Sequence, residues 1–196
     1  MAIRLLGALS FTALFACAAS AATAPFSIDS DHTHVVWQVD RFGFTKTIGT
    51  FTDVSGVLLL DEAAPQNSRI TATIALAGLR SDHAERERIV RGPHWLDAVS
   101  HPAIHFASTA VARSSECPQN CYRVTGEMTM RGATAPLALE VRLNKLGTDP
   151  VTRKRAAGFT ATGSFSREAF GVTTALGPIG ADVDFQIEAL AIAETE

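Results

Sequence analysis

The chain has 196 residues, 46% of them hydrophobic, with 17 Lys and Arg against 20 Asp and Glu for a net charge of −3. That apolar content suits one domain with a buried core, and the length does not require two. No basic stripe stands out, which excludes nucleic acid as an expected partner.

The first 22 residues read as an export signal and not as part of the fold. Arg4 gives a positive start, Leu5 to Ala16 is an apolar stretch too short to span a bilayer, and the small residues from Cys17 to Ala22 offer a cleavage site. The sequence therefore predicts a signal peptide over 1–22, one mature domain over 23–196, and export to the periplasm. Leu14-Phe15-Ala16-Cys17 also resembles a lipobox, with lipidation at Cys17 as the lesser alternative.

Most of the remaining chain alternates with period 2, the mark of strands with one buried face. Val35, Trp37 and Val39 share the first such face. Thr45 to Phe51 follows with Ile48 and Phe51, and Gly49 in it suggests a bend or bulge. Gly56 to Leu60 is a short apolar run. Ile70, Ala72, Ile74 and Leu76 alternate with polar or small neighbours, as do Ile104, Phe106 and Ser108, then Tyr122, Val124, Gly126, Met128 and Met130. Three more alternating runs complete the chain: Leu137 to Leu143, Phe159 to Phe165 and Val183 to Ala189. Turn residues separate them at 61–68, 117–121, 147–150 and 177–180. Many similar strands with short connections predict an all-β antiparallel barrel or sandwich.

One segment breaks the pattern. Asp82-His83-Ala84-Glu85 has the form of a capping box, Glu85 to Arg91 follows as a short helix, and Gly92-Pro93 ends it. Its larger apolar residues are Ile89 and Val90, so the helix is expected to lie across one opening of the β structure. Cys117 and Cys121 flank a Pro-x-Asn turn; in an oxidising compartment this reads as a disulfide pinning a hairpin end, with a redox pair or half a metal site as alternatives.

His32 and His34 share one face of a strand and have the spacing of a metal-ligand pair, yet alternation sends both away from the face that carries Trp37. Metal binding through them is the weaker reading. No Gly-x-Ser-x-Gly elbow, paired-acid motif or nucleotide loop is present, which argues against an enzyme.

Order and spacing of several short motifs carry a resemblance. His32-Thr33-x-Val35-x-Trp37-x-Val39, Phe42-Gly43-Phe44, Gly49-Thr50-Phe51, His101-Pro102-x-Ile104-x-Phe106-x-Ser108, Gly126-x-Met128-Thr129-Met130-Arg131-Gly132-x-Thr134-x-Pro136, Gly158-Phe159, Ser166-Arg167 and Phe170-Gly171 together resemble the YceI family of bacterial, lipocalin-like, polyisoprenoid-binding proteins. The likeness runs from Phe26 to Ile192. Trp37 stands where phenylalanine is usual, Arg41 where histidine is common, and the insert from Cys117 to Cys121 lies outside the family pattern.

The resemblance implies an eight-stranded antiparallel lipocalin-like barrel with one short helix capping an end. It also implies an apolar interior that holds a long isoprenoid lipid or quinone, and no catalytic cofactor. The expected wall is Trp37, Phe42, Phe44, Phe51, Ile74, Phe106, Met128, Phe159, Phe165 and Phe170. Arg131 and Arg167 are the candidates for a polar head group. The expected partner is a hydrophobic long-chain lipid such as a polyprenyl phosphate, with the membrane surface as donor, and a homodimer is left open. The rival readings are a small-molecule enzyme on the same barrel and a metal-binding protein using His32 and His34. Large and small residues share the inward faces, so the sequence fits a filled interior as well as a hollow one.

Overall fold

A computed structural model describes residues 23–117 and 119–194. The signal peptide expected over 1–22, with its Cys17, lies outside the described residues. Eleven strand segments form one antiparallel sheet: β1 (Ala24–Ile28), β2 (His34–Arg41), β3 (Thr45–Phe51), β4 (Val54–Leu60), β5 (Arg69–Ala75), β6 (Leu79–Arg80), β7 (Ala103–Arg113), β8 (Cys121–Met130), β9 (Ala133–Thr148), β10 (Arg155–Ser166) and β11 (Ile179–Ala193). One helix, α1 (Ala84–Arg91), stands between β6 and β7.

The sheet closes on itself. Strand β11 pairs on one side with β10, and on the other with β2 over most of its length and with β1 at its end. The pairs β1–β4, β2–β3, β4–β5 and β3–β6 show that β1 continues into β2, β3 into β4 and β5 into β6 as staves broken once each. With β7 to β11 unbroken, the barrel has eight staves in up-and-down order. Closure leaves no long open edge.

The breaks have local causes. A 3-10 turn over Ser30–His32, capped by the Asp29 carboxylate on the Asp31 N–H, separates β1 from β2. A second 3-10 turn over Leu76–Gly78 ends β5 and buries Leu76. The sequence reading carried Leu76 on as strand; alternation alone does not register a change of main-chain direction. Nor does it allow Ile48 and Phe51 to share a face: Phe51 is buried and Ile48 points out.

Helix α1 is capped one residue later than the motif predicts. His83 is the N-cap, its Nδ1 accepting the Arg86 N–H at 3.2 Å, while Glu87 takes the Ser81 N–H at 2.7 Å. Asp82 sits at φ 56° and cannot take the cap position. Arg91 fixes the helix to the barrel by donating to the Leu76 and Leu79 carbonyls. Cys117 and Cys121 form a disulfide, with 5.8 Å between their Cα atoms, across the β7–β8 connection.

Candidate functional site

The inward residues of all eight staves surround one continuous cavity of about 700 Å³, within the range of small-molecule sites. Val35, Trp37 and Val39 of β2 line it. So do Ile70, Ala72 and Ile74 of β5, Ile104 and Phe106 of β7, Val124, Met128 and Met130 of β8, Leu137 to Leu143 at alternate positions of β9, and Val183 to Ala189 at alternate positions of β11. The period-2 faces read from the sequence are thus the faces that meet in the lumen.

Three of the bulky rings pack against glycines of the neighbouring staves, which holds them close to the wall. Trp37 is paired directly across from Gly49, and Phe185 across from Gly163. A Cβ at Gly49 would run into the Trp37 ring, and one at Gly163 would lie 2.5 Å from Phe185 Cζ. Gly126 receives Phe106 diagonally, since it is paired with Ser108; a Cβ there would lie 2.5 Å from Phe106 Cζ. Each glycine is a seat for an aromatic ring of the neighbouring stave. The small residues among large ones are therefore what lets the large ones fold back onto the wall.

The two ends differ. At one, α1 contributes Ile89, Val90 and Arg86, joined by Trp95, Leu96, Val172, Ile179 and Arg41. At the other, the 61–68 loop contributes Ala63, Pro65 and Ser68, with Arg69, Arg113, Asn120 and Tyr122 around them. That loop is built on Asp61, whose buried carboxylate accepts the N–H groups of Ala63 and Ala64 and the Asn67 amide. These hydrogen bonds, the one from Ala64 first, hold the Asp61 carboxyl below its ordinary pKa. Glu62 is bonded through both oxygens to Arg155, which lowers its pKa too.

Of the residues expected in the wall, Trp37, Phe51, Ile74, Phe106, Met128, Phe159 and Phe165 line the cavity. Phe42 and Phe44 do not. They lie in the β2–β3 turn, beyond the last inward residue of β2, and are 52% and 91% exposed. Phe170 does not line it either. It closes a 3-10 turn after β10 and is buried edge-on against Phe165, with ring centroids 5.6 Å apart. The Trp37 indole N–H is buried without an acceptor among the described residues, so an oxygen-bearing group beside it would meet an unpaired donor.

The two expected head-group arginines are engaged with the main chain. Arg131, in the β8–β9 turn, donates to the Gly171 and Pro93 carbonyls at 2.8 Å each and is not part of the lining. Arg167 reaches the lining but is only 3% exposed and donates to four carbonyls, those of Val172, Thr174, Ile179 and Gly180. It ties the loop after β10 to the start of β11, and its guanidinium also lies 5.3 Å from the Trp95 ring. Burial pushes its pKa down from the ordinary value. The sequence missed the rim arginines Arg41 and Arg113, which line the cavity and make no ion pair among the described residues. Inward parity on β2 is the signal that finds Arg41; on β7 a bulge between Ser108 and Ala110 reverses the parity, so alternation alone sends Arg113 outward.

His32 and His34 point away from the lumen. His32 Nδ1 pairs with Asp29 Oδ2 at 2.9 Å, and that hydrogen bond raises its pKa. Among the described residues no three His, Cys, Asp or Glu side chains stand together as a metal site.

A closed antiparallel barrel with an apolar lumen is the architecture of lipocalin-like ligand-binding proteins. The chain belongs to the YceI family: the model of the YceI-like domain matches residues 26–191. Protein YceI of Escherichia coli O17:K52:H18 is 33% identical over 91% of this chain and 92% of its own length. A UPF0312 protein of Enterobacter sp. (strain 638) is 35% identical over 93% and 91%. Among solved structures, Burkholderia cenocepacia BcnA aligns with a TM-score of 0.73 at 22% identity, over 83% of this chain and 98% of that one. A polyisoprenoid binding domain from Saccharophagus degradans, implicated in plant cell wall breakdown, aligns with a TM-score of 0.60 at 11% identity, over 87% and 99%.

Proposed function

We propose that the protein is a periplasmic carrier that holds a long-chain isoprenoid lipid, a polyprenyl phosphate or an isoprenoid quinone, inside the barrel. The observation that carries this reading is the continuous apolar cavity of about 700 Å³ running between the two ends of the barrel. Family membership and the polyisoprenoid-binding description of the Saccharophagus domain support it. The protein acts as a binder and performs no chemistry on its cargo.

The energetics follow from area. Burying about 600 Å² of polyprenyl chain contributes on the order of 15 kcal/mol at ~25 cal/mol per Å², against roughly 4–15 kcal/mol for association. Trp37, Phe51, Ile74, Phe106, Met128, Phe159 and Phe165 contact the tail. Met128 and its neighbour Met130 adapt to a flexible chain. Arg41 and Arg113, at opposite ends, offer polar contacts to the head.

Native mass spectrometry of protein purified from its own periplasm tests the proposal. A mass excess that extracts into organic solvent as a polyprenyl lipid is expected. An empty barrel that also takes up neither a polyprenyl phosphate nor a quinone overturns it.

A further inference from the structure

The β2–β3 turn points to an interaction surface. Phe42-Gly43-Phe44 joins the paired residues Arg41 and Thr45, and both phenylalanines project into solvent, as does Ile48 at 55% exposure on the outer face of β3. Phe42 has φ 57° and Gly43 φ 70°. Turns of this kind favour Asn, Asp or Gly before the glycine, and a bulky aromatic there is held against its backbone preference. Strain of this sort, kept at an exposed tip, points to a role for the side chain outside the fold. The turn is nonetheless well fixed. The Phe42 N–H donates to the Pro178 carbonyl at 2.7 Å, the Gly43 N–H to Asp40 Oδ1 at 2.8 Å, and the Arg41 guanidinium lies 4.8 Å over the Phe42 ring.

We propose that this turn is a membrane-docking tip, inserting Phe42 and Phe44 into the interface of a phospholipid bilayer while Arg41 meets a head-group phosphate. The turn is continuous with the cavity: Arg41 and Ile179 both line it and are paired across β2 and β11. Docking there sets the end of the lumen against the lipid surface. Arg41 makes no ion pair among the described residues and is free to take an anion, whereas Lys46 on the same hairpin is held by Asp184 at 2.9 Å. The size of the tip argues against a second protein. Two aromatic side chains bury roughly 150–250 Å² each, well below the ~800 Å² per partner of a stable interface. The same area suffices for reversible attachment to a membrane, which a carrier needs. What the attachment is for rests on the carrier reading; the attachment itself does not.

The test is cosedimentation of the purified protein with vesicles of phosphatidylethanolamine and phosphatidylglycerol. Wild-type protein is expected to bind. The double variant Phe42→Ser, Phe44→Ser is expected to lose about tenfold or more of its partition coefficient, from the transfer free energy of the lost rings. Arg41→Gln is expected to weaken binding more to these anionic vesicles than to vesicles of pure phosphatidylcholine, whose phosphate is offset by its own choline. Val151→Ser, at an 87% exposed position in the β9–β10 turn at the other end, should change nothing. Phe42→Asn relieves the backbone conflict, so it should melt no lower than wild type and still bind vesicles more weakly, which separates docking from folding. The proposal falls if the double variant binds like wild type, if wild type does not bind, or if the double variant only shifts a dimer to monomer in sedimentation velocity. Lipid extracted from the same preparations keeps the two readings apart. A lipid-loaded protein that ignores vesicles sinks the docking tip alone, and a vesicle-bound protein that never holds lipid sinks the carrier alone.

Discussion

Arg167 shows how one buried charge organises a whole end of the barrel. Its guanidinium donates to four carbonyls, two in the loop after β10 and two at the start of β11, and among the described residues no carboxylate pairs with it. Arginine's planar fork of five donors makes this geometry accessible; an ammonium on a flexible stem cannot span it. Arg167→Met is therefore expected to cost roughly 3–5 kcal/mol, because four carbonyls lose a charged donor at a site with little access to water. Urea denaturation checks this, and Arg167→Lys should restore little of the loss. A cost within about 1 kcal/mol would show that the loop finds other partners. His32 offers a pH test. Its Asp29 partner raises its pKa, so the pair stabilises the fold below histidine's ordinary value of about 6.5 and loses that contribution as pH rises through the raised one. An NMR titration should place the His32 midpoint above the ordinary value, and Asp29→Asn should bring it back. A wild-type midpoint at or below that value contradicts the assignment.

At the scale of the element, the pairing of glycine with an aromatic ring on the adjacent stave decides whether the interior is filled or open. Gly49 is the tightest seat, because an added Cβ meets the Trp37 ring and also approaches the Arg80 carbonyl to 2.7 Å. Gly49→Ala is expected to cost about 1–3 kcal/mol as an overpacking change, and to tip Trp37 toward the lumen, visible as a shifted tryptophan emission. If the emission and the stability both stay put, the ring is not held by the glycine. The strand faces themselves were legible in the sequence, since period-2 patterning over Val35–Val39, Tyr122–Met130, Leu137–Leu143 and Val183–Ala189 survives closure of the sheet unchanged. The seats were not, because alternation reports which side a residue faces and says nothing of what stands across from it. The turn was misread for a related reason. Phe-Gly-Phe has the glycine but no Asn, Asp or Gly before it, so Phe42 and Phe44 read as more wall. Strands β1 and β6 went unnoticed, being short and defined by pairing with distant segments, and the cap fell on His83 because the conformation of Asp82 belongs to the loop.

At the scale of the molecule, closure and emptiness are separate achievements. Eight staves define a ring whose interior side chains are able to fill it, and the described interior leaves about 700 Å³ unfilled. Ala161 tests which of the two matters. It lies on β10 between Phe159 and Phe165, faces the lumen, and is paired with Val141 and Ile187. In a filled barrel, Ala161→Trp would force side chains off their rotamers at a cost of about 1–3 kcal/mol and leave any surface-mediated activity intact. In a hollow one, the indole enters free space, so the melting temperature should hold nearly steady while the bound lipid is displaced. The expected result is a several-fold fall in solvent-extractable lipid per protein with stability changed by less than about 1 kcal/mol, read by quantitative lipid extraction alongside thermal melting of the same sample. Unchanged lipid content together with a large stability loss would mean that the lumen is not where the cargo sits.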